Sequence, residues 1–309
     1  MASQQALEFV EKLRRHGERM AAVSGLTLDD QRIVAEGLQA ITGSPEGVTF
    51  RDATADGLPG IWVDPDEQAG ADGSTVILYL HGGGFMFGTP VGYRNLAGHV
   101  ARAAGSAVLV PKYRRAPEAP FPAGLLDAVA AYEGLLSRGF APELIALVGD
   151  SAGAGLALSC LLTLRDAGKA LPATAVLMSP WSDLAAEGES MRTNAAVDLM
   201  ASAEGMRTLG SVYAPGLEHD PVASPVHGDY RGLCPLYIQV GGHEALLDDA
   251  VRVRDKAQAD GVSARLELFA EMQHVFQLGA GTFPEADDAI AKVGGHLRAV
   301  FAATGKPEK

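Results

Sequence analysis

The segment Gly149-Asp150-Ser151-Ala152-Gly153 joins a short apolar run, 144–148, to a helical pattern over 156–165. A serine on a tight strand-to-helix turn sits in strained backbone and needs small neighbours. Here glycine stands two positions before it and two after. The hydroxyl then projects at the carboxyl end of a strand, where open α/β sheets hold their ligands, beside the positive end of a helix. A nucleophilic serine needs that placement, although a bare tight turn would use the same residues. A nucleotide loop fits less well. Gly153-x-Gly155 is followed by Leu158 where a dinucleotide fingerprint requires its third glycine, and no Gly-Lys-Ser/Thr phosphate loop occurs.

A second loop, His81-Gly82-Gly83-Gly84-Phe85, follows the apolar run 75–80. Three consecutive glycines cost chain entropy. Alone they would read as a flexible turn. With a serine turn farther along the chain, they read better as backbone N–H groups cleared of side chains so that they can approach a developing oxyanion. One such donor contributes about 3 kcal/mol to a transition state.

These loops require a rigid frame, and the chain can build one. Its 309 residues fit two average domains or one large α/β domain, with 47% hydrophobic and 20% charged residues. The continuous apolar runs 75–80, 107–111, 144–148, 173–178, 236–240 and 266–269 alternate with helical patterns. That is how strands covered on both faces appear, and it predicts βαβ units in a mostly parallel sheet. A hairpin, 48–53 with 58–63, turns at Ala55-Asp56-Gly57 and brings the sheet to about eight strands. The stretch 64–73 reads as a loop. Two helices precede the sheet. One covers 3–20 with Leu7, Val10, Leu13 and Met20 on a face. The other starts after Thr27 with Asp29 and Asp30 in its first turn and Ile33, Leu38 and Ile41 on a face. The segment 183–221 contains no strand pattern and closes at Ala214-Pro215-Gly216.

The ordered series HGGGF (81–85), Tyr113-Arg114-Arg115-Ala116-Pro117-Glu118 with Phe121-Pro122-Ala123, and GDSAG (149–153) resembles the hormone-sensitive-lipase family of α/β-hydrolases, the bacterial family IV esterases. Ala223-Ser224-Pro225, the stretch 241–249 beginning Gly241-Gly242-His243-Glu244, and Gln273-His274-Val275-Phe276 extend the resemblance, which covers roughly 45–300. It implies an α/β-hydrolase fold with a core of 46–182 and 222–309, capped by the N-terminal helices (1–45) and the insertion 183–221. It also implies Ser151 as nucleophile, the N–H groups of Gly83, Gly84 and Ala152 as an oxyanion hole, and His81 as support for the glycine loop.

A serine nucleophile needs a base within hydrogen-bond reach and a carboxylate to orient that base. His274 follows the last strand in the order Ser…acid…His that this fold uses. His243 also follows a strand but precedes the acid. His16, His99, His219 and His296 fall in helical or insertion contexts, and His227 in a turn. Glu244 stands where the family usually has Asp, and Asp248 lies one helical turn later. Asp248 with Asp249 would otherwise be a charge pair at a helix N-terminus. Asp150 points away from the serine's side and reads as loop support, and Asp183 as structural.

The reaction implied is hydrolysis of short-chain acyl esters, of up to about eight carbons, through an acyl-enzyme. A lactone, amide or acetylated-metabolite hydrolase would use the same three residues, and a ligand-binding protein on this fold is the remaining alternative. Phe85, Met86 and Phe87 beside the glycine loop, and Leu199, Met200 and Met206 in the insertion, would wall the pocket.

No cofactor is expected, and no metal site, since neither H-E-x-x-H nor paired-cysteine spacing occurs. The balance of 25 basic against 38 acidic residues gives a net charge of −13, which disfavours nucleic acid as a partner. Cys160 and Cys234 read as inert thiols. No apolar signal core occupies 1–20 and no run spans a bilayer, so the expected location is cytoplasmic. The resemblance also suggests a homodimer through the edge strand at 266–269.

Overall fold

A computed structural model describes residues 2–22, 25–55, 57–66 and 74–304. The central strands β3 (Val76–Leu80), β5 (Ile145–Asp150), β6 (Thr174–Met178) and β7 (Leu236–Gly241) are buried at every residue. Their side chains alternate between two apolar layers. Leu78, Leu147, Leu177 and Ile238 face helices α4 (Ala123–Ser137), α5 (Ala152–Asp166) and α8 (Leu247–Ala259). Ile77, Tyr79, Val148 and Val176 face α3 (Pro90–Ala104) and α9 (Pro284–Thr304). Each fully buried aliphatic side chain contributes roughly 1.5–3 kcal/mol. This two-sided burial explains why the runs show no polar alternation.

With β1 (Val48–Ala55), β2 (Leu58–Pro65), β4 (Ala107–Pro111) and β8 (Ala264–Phe269), the sheet has eight strands in the order β1-β2-β4-β3-β5-β6-β7-β8. The β1–β2 hairpin and the β2–β4 pair are antiparallel, and every other pairing is parallel. The chain is thus an eight-stranded, mostly parallel α/β fold. Asp56 of the expected turn and residues 67–73 of the expected loop lie outside the described residues.

The N-terminal helices form, but their faces differ from the expected ones. In α1 (Gln4–Ala22) the buried residues are Ala6, Phe9 and Leu13, with Phe9 against Phe283 of the loop before α9, ring centroids 5.0 Å apart. Leu7, assigned to the face by its type, is 52% exposed. The spacing 6, 9, 13 is as helical as 7, 10, 13, and the large Phe9 decides which stripe docks. Met20's side chain lies outside the described residues. Thr27 caps α2 (Leu28–Gln39) through a reciprocal capping box with Asp30. Leu38 and Ile41 pack against the core as expected, although Ile41 lies just beyond the helix end, whereas Ile33 is exposed. Between β6 and β7 the chain makes α6 (Ser190–Thr193) and α7 (Ala203–Tyr213). Cys160 and Cys234 are free and buried, and burial pushes both thiols up to about 12. Among the described residues no helix is long and apolar enough to cross a membrane.

Candidate active site

β5 ends at Asp150 and α5 begins at Ala152, which leaves Ser151 alone on the turn with φ 51° and ψ −122°. Such a conformation costs on the order of 1–3 kcal/mol and persists only where its surroundings hold it. Here they do. The Ser151 N–H donates to the Met178 carbonyl at 2.9 Å, and its own carbonyl accepts from the N–H groups of Ala154, Gly155 and Trp181, each at 3.1 Å. The turn also needs Gly153, because a Cβ there would fall 1.9 Å from the Leu80 carbonyl oxygen.

Two loops at the same edge complete the arrangement. His274, beyond β8, brings Nε2 to 2.9 Å from Ser151 Oγ. Its Nδ1 lies 2.8 Å from Glu244 Oε2, in the loop after β7. Glu244 Oε1 accepts the Ser179 hydroxyl at 2.6 Å and the Gly241 N–H. Ser179 Oγ in turn accepts the Val275 N–H at 3.1 Å. One serine therefore fixes both the carboxylate and the loop that carries the imidazole. All three principal residues are buried: Ser151 is 8% exposed, His274 5% and Glu244 0%.

Burial is the largest influence on the His274 imidazole and lowers its pKa. The hydrogen bond and charge of Glu244, together with the charges of Asp198 and Asp150, outweigh it and leave the imidazole raised above its ordinary value. Burial raises the Glu244 carboxyl, opposed by the donors from His274, Ser179 and Gly241. A neutral His274 with Nδ1–H donated to Glu244 leaves Nε2 as acceptor for the serine hydroxyl.

The glycine loop is braced from below. Gly82 N–H donates to Asp150 Oδ1 at 3.0 Å, where the Tyr79 hydroxyl also donates at 2.8 Å. His81 is stacked between Tyr113 and Tyr93, with centroids 4.4 and 5.3 Å away. Burial pushes its imidazole down to about 4. Neutral, it donates Nδ1–H to the Gly82 carbonyl at 2.8 Å. Gly83 has φ +111°, and a Cβ there would meet the Phe87 carbonyl at 2.5 Å. Among the described residues, the N–H groups of Gly83, Gly84 and Ala152 donate to no protein acceptor.

Ser151 and His274 open onto a cavity of about 230 Å³, walled by α2, the glycine loop and the insertion. Phe87, Met200 and Met206 line it, as their positions suggested. Leu199 lines a neighbouring cavity of about 300 Å³ that shares Ala35, Leu38, Phe87 and Met200 with the first. Phe85 and Met86 line neither cavity. Phe85, at φ 60°, turns inward and stacks on Tyr213 at 3.7 Å. Met86 packs against the core, and its carbonyl accepts from Arg32 Nε at 3.0 Å.

Asp248 and Asp249 stand in the first turn of α8, as a helix N-terminal pair would, and each also accepts hydrogen bonds from outside the helix. Asp248 accepts the Ser190 N–H at 2.8 Å. Asp249, fully buried, accepts the N–H groups of Ser182 and Asp183 at 2.8 and 2.9 Å. Asp183 carries a salt bridge to Arg252.

Sequence reasoning passed over Ser179, Gln39, Tyr93, Leu209 and Leu278. Ala35, Leu38 and Gln39 of the cavity wall follow the i, i+3, i+4 spacing of one helix face, a signal available in the sequence. Ser179 offered none, since its partners lie 65 and 96 residues away.

The family described as the alpha/beta hydrolase fold matches residues 77–278. A crystal structure of an esterase from the bacterial hormone-sensitive lipase family superposes with a TM-score of 0.92 at 40% identity, over 97% of this chain and 99% of the other. The chain belongs to the hormone-sensitive-lipase family of α/β-hydrolases. It is a carboxylic ester hydrolase. Relatives of this family member include an acetyl-hydrolase of Streptomyces hygroscopicus, 46% identical over 83% of this chain and 84% of the relative. An esterase of Acinetobacter venetianus is 36% identical over 73% of this chain and 75% of the relative.

Proposed function

We propose that the protein hydrolyses short-chain acyl esters through an acyl-enzyme, with Ser151 as nucleophile, His274 as general base and acid, and Glu244 as the orienting carboxylate. The observation that carries this reading is the unbroken hydrogen-bond chain from Glu244 through His274 to Ser151 at the end of an apolar cavity. Ser151 Oγ bonds to the ester carbonyl carbon as its proton passes to His274 Nε2. The carbonyl oxygen takes the negative charge and receives the N–H groups of Gly83, Gly84 and Ala152. The C–O bond to the alcohol then breaks, and His274 returns the proton to the departing oxygen. Water repeats the sequence on the acyl-enzyme and releases the acid. Glu244 stabilises the imidazolium formed at each step.

The cavity onto which Ser151 itself opens, about 230 Å³ with mainly apolar walls, fits a short acyl group, and the adjoining cavity of about 300 Å³ lies beyond it. The N-terminal helix α2 and the insertion 183–221 act as a cap, because Leu38, Met200, Met206 and Leu209 close the space above Ser151. Rates across p-nitrophenyl esters from acetate to palmitate test the reading. The expected optimum lies at or below about eight carbons, and an optimum at palmitate would overturn the short-chain assignment.

A further inference from the structure

The cavity above Ser151 contains a polar side chain that the proposed reaction leaves idle. Gln39, the last residue of α2, is 4% exposed and lines the cavity together with Ser151 and His274. Its Oε1 is buried without a hydrogen-bond partner. Oε1 packs against α3, where a Cβ on Gly92 would fall 1.9 Å from it, while Nε2 donates to no described residue and is not among the fully enclosed atoms. The rest of the wall is mainly apolar, with Leu38, Phe87, Met206, Leu209 and Leu278, and also includes Tyr93 and Asp150. Buried side-chain amides in folded proteins are as a rule hydrogen-bonded. One left open beside a nucleophile is positioned to be satisfied by substrate.

Resting on the ester-hydrolase reading of the site, we propose that Gln39 is a specificity-determining residue selecting esters that carry a hydroxyl a few bonds from the scissile group. A primary amide offers two donors and an acceptor, and a hydroxyl offers one donor and two lone pairs, so one hydroxyl can engage either end. The terminal amide torsion is soft, so rotation presents Nε2 or Oε1. An alkyl group in the same place satisfies neither. Sites built to hydrogen-bond a substrate hydroxyl discriminate against analogues that lack it, because the protein's polar group is then left unpaired.

The test compares kcat/KM for ethyl butyrate, ethyl 3-hydroxybutyrate and 2-hydroxyethyl butyrate, in wild type and in Gln39→Met, which keeps the side chain's length and removes its polar end. Wild type should favour one hydroxy ester over ethyl butyrate. That preference should fall about tenfold in Gln39→Met, the loss of roughly one hydrogen bond. Which hydroxy ester responds assigns the amide to the acyl or the alcohol side. Turnover of ethyl butyrate without preference for either hydroxy ester in wild type overturns the inference alone, and so does a preference that survives in Gln39→Met. If the Met variant does not fold, the wild-type ratios decide. Wild type that cleaves none of the three esters overturns the ester-hydrolase reading of the site together with the inference.

Discussion

The carboxylate of Asp150 accepts the N–H of Gly82 at 3.0 Å, so the residue before the serine holds the first glycine of the loop that faces it. The same oxygen takes the buried Tyr79 hydroxyl at 2.8 Å. Serine turn and glycine loop are thereby one rigid unit rather than two loops that happen to meet. Asp150→Ala strips the acceptor from two buried donors, each costing about 1–3 kcal/mol, and frees the glycine loop to shift. A displacement of this kind lowers kcat on the order of a hundredfold. Asp150→Asn keeps an oxygen in place and should lose far less. Steady-state rates of both variants with p-nitrophenyl butyrate, beside their melting temperatures, separate a misplaced loop from a weakened fold. Equal losses in Ala and Asn would contradict the bracing role.

His274 can take the serine proton only when neutral. Glu244, with smaller contributions from Asp198 and Asp150, raises its pKa above the ordinary imidazole value against the opposing effect of burial. The rate kcat/KM should therefore climb with pH, with an apparent midpoint above 6.5. Glu244→Gln removes the charge that holds the proton, so the midpoint should move down. The maximal rate should fall roughly 10³–10⁴-fold, as when the orienting carboxylate of a serine hydrolase is neutralised. A pH–rate profile whose midpoint does not move in Glu244→Gln would place the raising charge elsewhere.

Asp249 predicts a pH effect on stability rather than on rate. Burial, with Asp183 nearby, pushes its carboxyl up to about 7 from an ordinary 3.8. Between those values the folded chain binds more protons at this site than the unfolded chain, so stability falls as pH rises through the window. The contribution is present in full below 3.8 and lost as pH passes about 7. Asp249→Asn can still accept from the Ser182 and Asp183 N–H groups but does not titrate. The difference in melting temperature, variant minus wild type, should grow more positive from pH 4 to pH 7 by calorimetry. A difference that shrinks over that range has the wrong sign for this explanation.

The sheet was legible because its strands are buried on both faces, which leaves uninterrupted apolar runs such as 76–80. The serine turn and the glycine loop were legible because their geometry demands glycine. Direction was not legible. Phe85 and Phe87 are two residues apart, yet Phe87 lines the cavity while Phe85 stacks on Tyr213, because backbone torsion at φ 60° decides where a loop side chain points. Helix faces were readable only to within a residue. In α1 both 6-9-13 and 7-10-13 are helical stripes, and only the partner Phe283 distinguishes them. Ser179 and Asp249 act through partners more than 60 residues away, and single-chain spacing carries no signal for such contacts.

The proposed reaction depends above all on Ser151 as the nucleophile. Initial rates of p-nitrophenyl butyrate hydrolysis by wild type and Ser151→Ala, measured side by side on folded protein, test it most directly. Clear turnover by wild type that vanishes in Ser151→Ala is the predicted result. Turnover in Ser151→Ala at the wild-type rate would contradict it and move the chemistry to another residue.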